Sequence, residues 1–467
     1  MIETKQQWFL ESISKAMSKW TTHQEHQLFS YTEKIHLQDP LAVFQMTESF
    51  KGSRIFWTSP EEDVTFIGFG SALTIDTESD MNQDRFERVE RKWKTIVESS
   101  YIDNPYKLPG TGPVLMGGFS FDLTKNKPLW KNFPNTLMWV PEFLVVIQGE
   151  EAYLTFNVML KSEEQVESKI KHFENTKETI SKPGTFYYHK EFSYQEKWDI
   201  SPEEWKNTVL KATEQISQGK MDKVVLAREL RARFNEDIPV SAVLANLLEQ
   251  QGQSYVFAIE SGEDCFIGAT PERLVKVEDD QLLSTCLAGT APRGDTPSED
   301  ENLGAELIND EKNLMEHQFV VNMIKEAVEA SCDDVEVPSA PVLYRLRNLQ
   351  HLYTPVQGKL KAGHTLLEVV KRLHPTPAMG GVPRDKALQF IYEEERLTRG
   401  WYSAPIGWMD AMRNGEFAVA IRSGLIQKDE VSLFAGCGIV KDSDPEKEFI
   451  ETKIKYKPML MALGGTS

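Results

Sequence analysis

Ala435-Gly-Cys-Gly438-Ile-Val-Lys441 follows an apolar run over 431–435 and precedes Asp444, which heads a long helical pattern. Strand, glycine-rich turn and helix in that order are the parts of a dinucleotide-binding unit, which would make the fold a doubly wound parallel sheet. The third glycine of that fingerprint is Lys441 here, and the dinucleotide reading falls with it. Two readings of Gly436 and Gly438 remain. They let the backbone approach a small anion and offer it N–H donors, or they form a tight turn at a strand end.

Outward from this stretch, short apolar runs predict strands over 223–229, 254–260, 265–269, 407–410, 417–421 and 431–435. Longer amphipathic patterns predict helices over 299–329, 386–395 and 445–462. Ser201-Pro-Glu-Glu204 reads as a capping box with Pro at the first helical position. The polar segment before it, 181–199, carries Pro and Gly and reads as a linker. Further upstream, strands are predicted over 54–57, 64–69, 114–121, 143–148 and 152–158, and helices over 6–17, 85–98 and 163–180. The fold class is therefore α/β (α+β) rather than a pure βαβ repeat. A strand-rich N-terminal region, 1–185, packs on a region over 200–462 that carries the motifs. No repeat at a solenoid period is present.

The 467 residues include 52 Lys+Arg against 71 Asp+Glu, a net charge of −19. That balance argues against nucleic acid or an anionic membrane as the main partner. A protein so acidic needs a metal ion or a few placed cations to bind an anion. Forty percent apolar and 26% charged residues exclude wholesale disorder. The best apolar run, 143–147, is far short of a membrane span, and the N-terminus reads as a polar helix rather than a signal peptide. Cys265, Cys286, Cys332 and Cys437 form no CxxC or Cys/His cluster, and read as buried thiols in a reducing cytoplasm.

Several side chains could carry chemistry. Glu448 and Glu451, three apart, share a helix face, and Glu316 lies on another long helix. Carboxylates on facing helices can hold Mg²⁺, which takes one or two of them and completes its shell with water and substrate oxygens; the alternative is two solvated faces. His374-Pro-Thr-Pro-Ala378-Met-Gly-Gly381 is a rigid non-helical loop that can present His374 to a pocket or use it as a cap. Lys223 opens a strand and Arg422 follows one; each lines a pocket or merely ends its strand.

Taken in order, the segments resemble the chorismate-utilising enzymes: isochorismate and salicylate synthases and the large subunits of anthranilate and aminodeoxychorismate synthases. The resemblance rests on Lys223-Val-Val-Leu-Ala-Arg228, Gly268-Ala-Thr-Pro-Glu272, Leu287-Ala-Gly-Thr290, Glu316-His317, His374-Pro-Thr-Pro-Ala378, Tyr402-Ser-Ala-Pro-Ile-Gly-Trp408, Ala420-Ile-Arg422-Ser423 and Glu448-Phe-Ile-Glu451-Thr-Lys-Ile-Lys455. It implies one large unit of two stacked, mostly antiparallel sheets flanked by helices.

The resemblance also implies roles. Lys223 is the base that activates water, and must be neutral to do so. Glu272 is the acid for the departing C4 hydroxyl, and must be protonated near neutral pH. Glu316 and Glu451, with Glu448 in support, hold Mg²⁺. Arg422, Lys455 and the Gly436 and Gly438 amides take the enolpyruvyl carboxylate, and Ala288, Gly289, Thr290, His374 and Tyr402 complete the chorismate site. Lys223 points to water as nucleophile, not ammonia, so no glutaminase subunit is expected. Ala288 stands where aminodeoxychorismate synthases carry a lysine nucleophile. Met46-Thr-Glu-Ser49 departs from the Leu-Leu-Glu-Ser of tryptophan-inhibited relatives. The long N-terminal region resembles the isochorismate synthases of the menaquinone route, with salicylate synthases and the siderophore branch as alternatives.

Overall fold

Phe143-Leu-Val-Val of strand Phe143–Gln148 is buried throughout, as expected of a strand covered on both faces. A computed structural model of the chain describes residues 2–19, 27–37, 39–59, 63–76, 84–123, 128–160, 166–182, 193–346 and 349–464. Among them, this strand belongs to a 13-stranded sheet that lies against a 10-stranded one. Pairing is antiparallel in both sheets, apart from the parallel contact of Gln27–Ile35 with Tyr101–Asp103.

Both sheets draw strands from both halves of the chain. Arg54–Ser59 pairs with Tyr255–Ser261 in the larger sheet, and Val114–Phe119 pairs with Pro405–Asp410 in the smaller. The inner faces meet in an aromatic layer that includes Trp57, Phe66, Trp401 and Trp408, with the Phe66 and Trp408 rings 4.8 Å apart. Helices cover the outer faces. Val243 and Leu247 of Val240–Gln250 and Met459 of Pro445–Ala462 pack on the larger sheet, while Val320 and Ile324 of Glu311–Glu329 and Val370 of Leu366–Leu373 pack on the smaller.

Four local expectations change. The single helix over 299–329 is two, Pro297–Asn309 and Glu311–Glu329. Asp310 adopts extended dihedrals between them, and its carboxylate accepts from the Asn313 amide at 2.7 Å, so an N-cap restarts the helix. Ser201 precedes helix Pro202–Ser217 as expected, but at φ 45° its hydroxyl makes no capping bond. The N-cap bond belongs to extended geometry, which Ser201 lacks. The end of the presumed linker is strand Tyr194–Asp199, which pairs along Leu230 to Phe234. Residues 183–192 of that linker, and 163–165 of the helix expected over 163–180, lie outside the described residues.

The last change decides the site. Gly436 and Gly438 do not form a turn. They lie inside strand Glu430–Ile439, opposite Ala227 and Val225 of strand Lys223–Phe234. Asp444 does cap the following helix, accepting from the Glu446 and Lys447 amides. All four cysteines are buried and free. Among the described residues, no helix is long and apolar enough to cross a membrane.

Candidate active site

Strands Lys223–Phe234 and Glu430–Ile439, the bulged part of Gln281–Pro292 and the helices Glu311–Glu329 and Pro445–Ala462 enclose a cavity of about 480 Å³. Lys223, Glu272, Ala288, Gly289, Thr290, Glu316, Tyr402, Arg422, Gly436, Gly438, Glu448, Glu451 and Lys455 all line it.

Lys223 opens its strand, and its Nζ donates to Glu316 Oε1 at 2.5 Å. The neighbouring strand must leave room for that side chain. A Cβ built on Gly438 would stand 2.7 Å from Lys223 Cε. Clearance for a lysine is therefore what glycine provides at this position. Gly438→Ala is expected to leave the melting temperature nearly unchanged, because the end of a lysine can shift. It should lower kcat by about 10–10²-fold, the scale of an ångström-level misplacement of a catalytic group. An unchanged kcat would remove this role from Gly438.

Glu272 follows strand Asp264–Thr270 in Thr270-Pro271-Glu272, and its backbone is fixed on both sides. Its amide donates to Thr270 Oγ1 at 3.2 Å, and its carbonyl accepts from the Val419 amide at 3.0 Å. It is 8% exposed. Burial pushes its carboxyl up to about 7, against the opposing pull of Lys223, Arg422 and Lys455. Arg273 does not pair with it. That guanidinium turns away to Glu416, at 2.8 Å. Glu272 is thus a carboxyl set to hold and release a proton near neutrality.

Arg422 sits at φ 51°, a left-handed backbone that a non-glycine residue rarely adopts. The turn is held by its carbonyl, which accepts from the Ala269 amide at 3.1 Å. Among the described residues its guanidinium makes no ion pair, and burial lowers its pKa. Lys455 donates to the Gly436 carbonyl at 2.9 Å and to Glu451 at 2.7 Å, which draws it to the same wall. Glu448 accepts from Ser443 Oγ at 2.7 Å. Burial, then the neighbouring Glu451 charge, pushes its carboxyl up.

The third wall is shaped by a bulge. Register shifts between Ala288 and Thr290, and Gly289 takes φ 78°. His317 Nδ1 lies 3.1 Å from the Ala288 carbonyl, and its Nε2 lies 2.7 Å from Thr354 Oγ1. The residue after Glu316 thereby fastens its helix to this strand. Tyr402 is buried against Phe434, with ring centres 5.4 Å apart.

His374 is not brought to this cavity. It is buried against Phe121, with Nε2 3.4 Å from the Phe121 carbonyl, and lines a separate cavity. Only the end of its loop, Ala378 and Met379, reaches the site. The histidine that does line it is His351, which the sequence reading missed. Its Nδ1 lies 3.0 Å from Thr290 Oγ1, and burial pushes it down to about 4, so the ring is neutral. Arg399 was also missed. It pairs with Glu395 and donates to the Met379 and Val225 carbonyls, tying the loop to the strand that carries Lys223.

A buried acid, a lysine and one buried guanidinium without an ion pair, gathered in one cavity, suit a small carboxylate. Residues 13–464 match the sequence model of the chorismate binding enzymes. The chain belongs to that family. Among similar proteins of this chorismate-binding family is isochorismate synthase MenF of Bacillus subtilis, 40% identical over 470 residues that cover 100% of this chain and 99% of the relative. The salicylate biosynthesis isochorismate synthase of Pseudomonas aeruginosa is 35% identical over 438 residues, 91% of this chain and 89% of the relative. The solved structure of MenF, the menaquinone-specific isochorismate synthase of Escherichia coli, superposes with a TM-score of 0.79 at 24% identity. That match covers 97% of this chain and 100% of the other, and it establishes the shared fold.

Proposed function

We propose that this chain is an isochorismate synthase, which adds water to C2 of chorismate while the C4 hydroxyl leaves, reversibly. One observation carries the reading: Glu272, buried and held at about 7, shares its cavity with Lys223 and Arg422. The whole-chain match to a relative named for this activity supports it. Lys223, in its neutral form, takes the proton of the incoming water; without substrate, an ion pair with Glu316 places its Nζ at the cavity. Glu272 gives its proton to the departing C4 oxygen. Arg422, which lacks a carboxylate partner, and Lys455 take the enolpyruvyl carboxylate. Tyr402, Ala288, Gly289 and Thr290 shape the wall around the ring. The product serves the menaquinone route, the reading favoured by end-to-end similarity to MenF of Bacillus subtilis.

Glu316, Glu448 and Glu451 fit Mg²⁺ as carboxylate donors. Glu448 and Glu451 repel one another, and all three carboxylates line the one cavity. Mg²⁺ takes one or two such hard oxygen donors and keeps water and substrate oxygens in the rest of its shell. When bound, Mg²⁺ would neutralise the ring carboxylate and fix its position. EDTA is expected to abolish turnover and Mg²⁺ to restore it, and Glu316→Gln should raise the Mg²⁺ concentration for half-maximal rate. Full activity after exhaustive chelation would overturn the metal assignment.

The deciding experiment incubates pure protein with chorismate and Mg²⁺, with and without ammonium, and separates the products. Isochorismate alone is expected. Salicylate with pyruvate would place the chain among salicylate synthases, and anthranilate with ammonium among the ammonia-using relatives.

A further inference from the structure

The loop that begins at His374 divides two cavities. Its far end, Ala378 and Met379, borders the catalytic one; His374 and Pro375 border a second, of about 1240 Å³. Helices Arg85–Ser99, Leu366–Leu373 and Arg384–Glu394 wall this second space.

Four of the cations that line it fall into two groups. Lys371 pairs with Asp84 and Glu87, at 3.1 and 2.8 Å, and Arg372 pairs with Glu368 at 2.9 Å. Arg85 and Arg384 meet only neutral oxygens. Arg85 donates to Ser120 Oγ and the Asn135 carbonyl, at 3.1 and 3.3 Å, and Arg384 to the Arg372 carbonyl at 2.9 Å and to the His374 carbonyl. Among the described residues neither guanidinium has an ion pair. Burial lowers both, Arg85 to about 10. Of the other acids on this wall, burial pushes Glu90 up, and Asp122 bears on Arg85 as a nearby charge.

His374 is 4% exposed, and its Nδ1 has no partner. Burial keeps the ring neutral. With Nε2 donating to the Phe121 carbonyl, Nδ1 is left as a buried acceptor that lacks a donor. Such an atom calls for a ligand or a water. Phe86, Phe121 and Tyr392 add ring surface to the same walls.

We propose that this second cavity binds a small hydroxyaryl carboxylate. Arg85 and Arg384 receive its carboxylate, its ring lies among Phe86, Phe121 and Tyr392, and a small turn of the buried His374 ring lets its hydroxyl donate to Nδ1. The site is distinct from the catalytic cavity and does not depend on the reaction assigned there.

The probe is 6-hydroxy-2-naphthoate, titrated into the full-length protein and followed by its fluorescence. Saturable binding to one site is expected, undisturbed by saturating chorismate with Mg²⁺. 2-Naphthoate, which lacks the hydroxyl, should bind at least threefold more weakly. Arg384→Met should weaken the probe at least tenfold. Arg85→Gln should do the same, and keeps the test open if the Arg384 variant fails to fold. Full displacement by chorismate would overturn the proposal, as would variants that bind like the wild type or no saturable binding at millimolar probe.

Discussion

Lys223→Ala is expected to lower the rate of water addition by about 10²–10⁴-fold, the usual value of a positioned general base. The expectation rests on where Nζ is held. The side chain passes over Gly438, reaches Glu316, and is one of the cations whose charge bears on Glu272. Loss of the amine should lower kcat and leave chorismate binding largely intact, because the anion-binding cations, Arg422 and Lys455, remain. A lysine that only held substrate would show the opposite split, with KM raised and kcat preserved. Small primary amines added to the variant should restore part of the rate, since truncation opens space at the strand end. In oxygen-18 water the wild-type product should carry label at C2. A variant within threefold of wild-type kcat would remove Lys223 from the base role.

Much of this site was legible because its residues are of types that seldom end up buried without cause. Glu272 and Arg422 are charged groups beside apolar runs, and the family order of the segments located them and Lys455. What the sequence obscured was backbone geometry. Gly436 and Gly438 read as a turn because two glycines after a strand usually mark one. Only the pairing of their strand with Lys223–Phe234 shows that the strand continues and that Gly438 makes room for a lysine more than two hundred positions away. His374 was overvalued for the converse reason. Its proline-rich loop has the signature of a pocket, but the loop spans two cavities and presents the histidine to the other one. His351 went unseen because it sits inside strand Leu349–Leu360, with no glycine or proline beside it, and takes its role from Thr290 across the sheet. The helix break at Asp310 was hidden because a mid-helix aspartate reads as a solvated charge until its carboxylate is seen to accept an amide.

Glu272→Gln is expected to be the most damaging conservative change in the chain. Hydroxide is a poor leaving group, so protonation of the C4 oxygen in the transition state carries much of the barrier, and glutamine cannot supply a carboxylic proton. The rate should fall by about 10²–10⁴-fold in both directions, because the acid of one direction is the base of the other. In the wild type, kcat/KM for chorismate should fall as pH rises through about 7, where the free enzyme's Glu272 ionises, and that limb should vanish in the variant. Stability follows the same protonation. The folded-state pKa is raised above that of the unfolded chain, so the stabilising effect of the protonated group is present at low pH and is lost as pH rises through about 7. Above that pH the wild type must hold a buried carboxylate, whereas the glutamine variant does not. The variant should therefore melt higher than the wild type at pH 8 and close to it at pH 4. A dead enzyme that is also the more stable one separates chemistry from structure, since a glutamate that merely braced the fold would lose both together. If instead kcat stays within about threefold of wild type, Glu272 is not the acid.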